Sequence, residues 1–169
     1  MVFSGKAHPK DGPGKELIKR IFSNIDQLKN KIRIIYLENY DMEIAKMLTS
    51  GVDLWLNTPR RPNEASGTSG MKVTHNGIPN FSVLDGWWIE GHIENVTGWS
   101  IGSDGQGAVD AGAGDAQTLY DKLEKVIVPL FYKDRDRWIE IMRHSIAVNA
   151  SFFNTHRMVQ QYILNSYFY

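Results

Sequence analysis

Leu17, Ile18, Ile21, Phe22, Ile25 and Leu28 recur at the three- and four-residue spacing of one helix face, and Pro13-Gly14 marks where that helix begins. Ile32 to Leu37 is a nearly continuous apolar run rich in β-branched residues, the pattern of a strand covered on both faces. Asp41 suits the amino cap of a short helix carrying Ile44, Ala45 and Leu48, and Gly51 suits its stop. Val52 to Leu56 then predicts a second strand, and Ile78 to Leu84 a third.

Strand, helix, strand, helix, strand is the order of a doubly wound α/β layer with a parallel sheet. The stretch 102–114 holds five glycines and almost nothing large, which predicts a surface loop. Three helices are expected after it. Asp115 caps the first, which carries Leu119, Leu123 and Ile127. Trp138, Ile139, Met142, Ile146 and Ala147 mark the second. Asn154 or Thr155 caps the third, which carries Met158, Val159, Tyr162, Ile163 and Tyr167. The whole of 1–169 is expected to form a single domain.

Composition narrows the function classes. Hydrophobic residues make up 42% of the chain and charged residues 22%, which suits a globular protein with a sizeable core. Nineteen basic and nineteen acidic side chains cancel, so no long-range field attracts nucleic acid or an anionic membrane. There are no cysteines, which excludes disulfides, thiolate metal sites and cysteine nucleophiles. The five histidines lack paired metal spacing, and no metal site is expected. No stretch has membrane-spanning length and the start lacks a signal-like apolar run, so a cytoplasmic location is the expectation.

The densest chemistry lies in Asn57 to Lys72, directly after the second strand. In open α/β sheets, ligands bind in the crevice beyond the carboxyl ends of the strands. Ser66, Gly67, Thr68, Ser69 and Gly70 are small residues leading into a predicted helix around Met71 to His75. Such a turn can aim N–H groups and the Thr68 and Ser69 hydroxyls at a phosphate, or it can be no more than a tight helix start. Lys72 can serve there as a counter-charge or as a Schiff-base amine.

Glu64-Ala65-Ser66-Gly67-Thr68-Ser69-Gly70-Met71-Lys72 resembles the pyridoxal-phosphate lysine segment of the α-glucan (glycogen and maltodextrin) phosphorylases. Asn76-Gly77 and Leu84-Asp85-Gly86 follow at that family's spacing. Leu37-Glu38-Asn39-Tyr40, Gly5-Lys6-Ala7-His8-Pro9 and Phe153 to Met158 resemble further family segments. Trp55, Asn57 to Pro62 and Asp85-Gly86-Trp87-Trp88 are closer to the bacterial and archaeal branch. Animal-type members have Gly-Asn where this chain has Ser69-Gly70.

The resemblance implies a Rossmann-like parallel sheet flanked by helices, one half of a two-domain, GT-B-type fold, with helices at the carboxyl end. It implies transfer of glucosyl units from an α-1,4-glucan to phosphate, giving glucose 1-phosphate with retained configuration. Pyridoxal 5′-phosphate is the implied cofactor, and its own phosphate is the expected acid–base group, so no side chain here is assigned a catalytic role. Lys72 is the implied attachment point, Thr68 and Ser69 contact the cofactor phosphate, and Tyr40 lies near the cofactor. Glu64, Ser66 and Gly67 bind the sugar hydroxyls. One of Trp87 and Trp88 can offer a stacking face to sugar, because neighbours on a strand point oppositely.

The resemblance further implies an amino-terminal partner domain that completes the cleft, and little activity without it. An apolar carboxyl-terminal helix lacking that partner favours a homo-oligomer. A non-catalytic glucan-binding module and a nucleotide-sugar glycogen synthase-type domain are the alternatives. Glu64 and Lys72 together favour the phosphorylase over the synthase.

Overall fold

Three short parallel strands carry the larger part of the molecule: β3 (Trp55–Asn57), β4 (Asn80–Val83) and β5 (Gly98–Ile101), hydrogen-bonded in the order β3-β4-β5. The structure is a computed structural model, and it describes residues 1–60, 63, 65–102 and 111–168, the side chains of 111–113 excepted. The described residues form two compact units, Met1–Leu48 and Thr49–Tyr169.

In the first unit, β1 (Val2–Ser4) pairs in parallel with β2 (Ile35–Leu37), and α1 (Gly12–Leu28) connects them. The Asp11 carboxylate accepts the Gly14 N–H at 2.9 Å and fixes the start of α1. Ile18, Ile21, Ile25 and Leu28 are half-buried, and Phe22 meets Tyr36 at 5.1 Å between ring centres. The Asp41 carboxylate accepts from the N–H groups of Glu43 and Ile44, so α2 (Met42–Gly51) begins and ends where Asp41 and Gly51 predict.

In the second unit the alternation of β4 decides the layers. Phe81 and Val83 point into a core shared with Trp99, Ile101, Ile127, Trp138 and Ile141. Asn80 points the other way, and its side-chain amide donates to the Gly70 carbonyl of α3 (Thr68–Thr74) at 3.3 Å. The short helix α4 (Trp88–Gly91) links β4 to β5.

Helices α5 (Ala111–Lys122), α6 (Val128–Lys133) and α7 (Arg135–His144) follow; α7 supplies Trp138 and Ile141 to the core, the turn between α5 and α6 supplies Ile127, and Trp99 stacks on Trp138 at 5.7 Å. A wider π-helical turn, Leu123–Ile127, sits just before Pro129, which lacks an N–H for the ladder. A second π-helical stretch, Ser145–Ala150, extends α7 and packs on α3. After it comes α8 (Thr155–Tyr162), where the Asn154 side chain accepts the Arg157 N–H at 2.9 Å as a cap.

Three expectations are corrected. Helix α5 starts at Ala111, so 111–114 are helical and Asp115 lies inside the helix instead of capping it; 103–110 are outside the described residues. Strands β1 and β5 are additional to the predicted set, and each predicted strand is shorter than its apolar run. Trp87 and Trp88 stand in the turn and first residue of α4, not on a strand. No helix among the described residues is long and apolar enough to cross a membrane.

Candidate functional site

The small-residue turn follows β3, at the carboxyl edge of the parallel sheet. Gly67 has φ +72, a left-handed conformation open to glycine at little cost, and it turns the chain into α3. The helix begins at Thr68, three residues ahead of the predicted Met71, because that turn already sets the first helical residues. Val73 and Thr74 are buried, while Thr68 and Lys72 are exposed. Residues four apart share a helix face, so the Thr68 hydroxyl and the Lys72 amine project from one side, with a rise of about 6 Å between them. Among the described residues, nothing forms an ion pair or hydrogen bond with the Lys72 amine.

A second segment pins the turn from below. The buried Asp85 carboxylate accepts the Ala65 N–H at 2.9 Å, and the Ser66 carbonyl accepts the Trp87 N–H at 3.3 Å. Gly86, with φ +53, lies so close that an added Cβ would stand 2.1 Å from the Ala65 carbonyl oxygen. This contact explains the Asp-Gly pair two residues past β4.

Of the predicted site residues, the structure brings Ser66, Gly67, Thr68, Ser69 and Lys72 together on one turn and one helix. Ser66 is exposed, and Ser69 and Gly67 are half-covered. Glu64 lies outside the described residues. Tyr40 belongs to the first unit, half-buried in the link from β2 to α2, directly after Asn39 at φ +55. Trp87 and Trp88 are 5% and 1% exposed, so neither offers a stacking face to sugar, contrary to the expectation for one of them.

Periodicity gives no hint of Asn80 or Asp85 as supports of the turn. The available signal is the set of glycines at 67, 70 and 86: Gly67 faces Trp87, Gly70 faces Trp87 and Asn80, and Gly86, next to Asp85, faces the Ala65 and Ser66 carbonyls.

Parallel strands, flanking helices and a small-residue turn beyond β3 define an α/β protein built like one half of a two-domain, GT-B-type glycosyltransferase. In agreement, the crystal structure of Anabaena HepE in complex with UDP-glucose has a similar fold, with a TM-score of 0.63 at 16% identity, covering 95% of this chain and 38% of that one. Residues 1–100 match the family model for carbohydrate phosphorylases, and the chain belongs to that family.

It is 47% identical over 167 residues to the maltodextrin phosphorylase of Thermococcus litoralis, covering 96% of this chain and 20% of that protein. It is 41% identical over 172 residues to the glycogen phosphorylase of Aquifex aeolicus, covering 99% of this chain and 25% of that protein. The chain thus spans a quarter or less of the length of these relatives.

Proposed function

We propose that this chain forms the cofactor-bearing wall of an α-glucan phosphorylase site, in a cytoplasmic protein that moves glucosyl units from an α-1,4-glucan to phosphate. The observation that carries the reading is the exposed face of α3, where Thr68 and Lys72 stand one turn apart and the amine is unpartnered among the described residues. Pyridoxal 5′-phosphate carries its aldehyde and its phosphate-bearing arm on neighbouring ring positions. A hydroxyl at the start of the helix and an amine one turn on fit that donor requirement.

When bound, the cofactor supplies a phosphate that exchanges a proton with the substrate phosphate. The chain's own work is binding and orientation. Lys72 anchors the cofactor through its amine, Thr68 and Ser69 hold the phosphate through their hydroxyls, and Tyr40 flanks it. Glu64, Ser66 and Gly67 orient the sugar, with the Glu64 carboxylate accepting from hydroxyls at roughly 1.5–3 kcal/mol per charge-assisted bond. An amino-terminal partner domain grips the substrate phosphate and closes the cleft, and the assembled protein is a homo-oligomer.

Incubation with pyridoxal phosphate, borohydride reduction and peptide mass analysis test the assignment. A single adduct on the peptide holding Lys72 is expected, and labelling spread over the surface lysines overturns it. Supplied with phosphate and maltodextrin, the chain alone is expected to release no glucose 1-phosphate. Release of that product would remove the need for a partner domain.

A further inference from the structure

One indole ring touches both ends of the turn. An added Cβ on Gly67 would lie 3.0 Å from Cδ1 of Trp87, and one on Gly70 would lie 2.8 Å from its Nε1 and 3.0 Å from its Cζ2. The far edge of the same ring is held as tightly. A Cβ on Gly91 would lie 2.6 Å from Cζ3, and Phe153 meets the ring edge-on at 5.0 Å. Trp88 packs beside it at 5.1 Å, and the Trp87 backbone N–H is already given to the Ser66 carbonyl. The indole therefore fills the space between the start of α3 and the Gly91–Phe153 side, and glycines make that close approach possible.

We propose that Trp87 is the positioning residue of this turn: its indole, seated against Gly67 and Gly70, sets where Thr68 and Lys72 stand. The inference rests on the cofactor reading given above for its functional consequence, and on the packing alone for its structural one. Asn80 assists from the same side, since its amide donates to the Gly70 carbonyl and its Oδ1 lies 2.8 Å from where a Cβ on Gly70 would be. Gly70 and Trp87 form a small–large pair, in which any side chain at position 70 competes with the ring for one volume. Ordinary core packing predicts that changes at Trp87 lower stability everywhere alike. A positioning role predicts a local loss at the turn, and coupling between positions 70 and 87.

The test uses four proteins: the unaltered chain, Trp87→Phe, Gly70→Ala and the double variant. Two measurements are made on each, the pyridoxal phosphate concentration that half-saturates labelling of Lys72 and the amide hydrogen exchange of residues 66–72 against that of β4 and β5. Each single change is expected to raise the half-saturating concentration about tenfold and to speed exchange at 66–72 while β4 and β5 keep their protection. The smaller phenyl ring relieves the contact of the alanine methyl with the indole but not that with Asn80 Oδ1, so the double variant is expected to recover part of the Gly70→Ala loss.

Independent, multiplying losses in the double variant overturn the assignment, as does exchange that rises equally in the strands. Failure of the unaltered chain to label at Lys72 strikes the cofactor reading instead, and the exchange data still judge Trp87.

Discussion

Glu94 sits among three polar partners drawn from different parts of the second unit. Its carboxylate meets His92 Nε2 at 2.8 Å, accepts from Lys122 Nζ at 2.7 Å, and accepts from the Ser100 N–H at 3.0 Å. Burial raises its pKa, but the hydrogen bonds from His92, Lys122 and the Ser100 backbone, helped by the Lys122 charge, outweigh that and bring it down to about 2. In the unfolded chain the same group titrates near the ordinary value of 4.5. Its stabilising contribution is therefore complete above about pH 5 and drains away as the pH falls toward 2. Glu94→Gln is expected to cost about 1–2 kcal/mol at pH 7, a figure reduced for partial solvent exposure, and to flatten the acid limb of stability. Urea unfolding of both proteins between pH 7 and about pH 2 checks this; parallel curves would refute it. At Gly86 the barrier is backbone geometry. Gly86→Ala combines a left-handed φ with a carbonyl oxygen at 2.1 Å from the new methyl, and a loss of about 2 kcal/mol or more is expected in the same unfolding assay. These two residues also mark what a sequence can reveal. Thr68 and Lys72 are four positions apart and declare a shared face by spacing, whereas Glu94 and Lys122 are 28 apart and meet only because β5 and α5 pack together.

Helix α3 was legible as an element because its boundary chemistry is local: a left-handed glycine, two hydroxyl residues, then a buried Val73 and Thr74. Strand β5 was not, because Gly98 opens it and carries no side chain to reveal the alternation. That glycine is required by a contact made elsewhere, since a Cβ there would stand 2.1 Å from the Asn80 carbonyl oxygen. Asp115 looked like a cap because aspartate commonly is one. The helix starts four residues earlier, and Thr118 bonds back to the Gly114 carbonyl at 2.9 Å inside it. The pair Trp87-Trp88 read as strand because both are aromatic and follow an apolar run, and only the positive φ of Gly86 turns them into a helix start. Since Thr68 is exposed and its hydroxyl forms no hydrogen bond among the described residues, its removal isolates a ligand contact. Thr68→Val is expected to weaken pyridoxal phosphate uptake at Lys72 about five- to tenfold while leaving the melting temperature within about a degree. A melting change that tracks the uptake change would assign Thr68 to folding.

The two units differ in how well each covers its own apolar surface. No residue of Met1–Leu48 is fully buried, while Thr49–Tyr169 encloses two stacked tryptophans and the aliphatic side chains around them. A unit of about fifty residues cannot dry out a core by itself, so the half-covered faces of α1 and α2 follow from size. Helix α8 needs a different explanation. It is well capped, yet none of its residues is buried, and Met158, Val159, Tyr162 and, just past its end, Ile163 are each more than 40% exposed. Tyr167 and Phe168 beyond it are exposed at 78% and 74%. An amphipathic helix this short gains most of its stability from packing, and the second unit leaves its apolar side chains open. A second copy of this chain can supply that packing. Static light scattering is therefore expected to give a mass that rises with concentration, and Val159→Lys with Ile163→Lys to return it toward one chain. The second unit's core does not touch these positions, so its unfolding midpoint should hold in the double variant. A mass independent of concentration in the unaltered chain would mean that α8 is stable without a partner, and would remove the physical basis for expecting a homo-oligomer through this face.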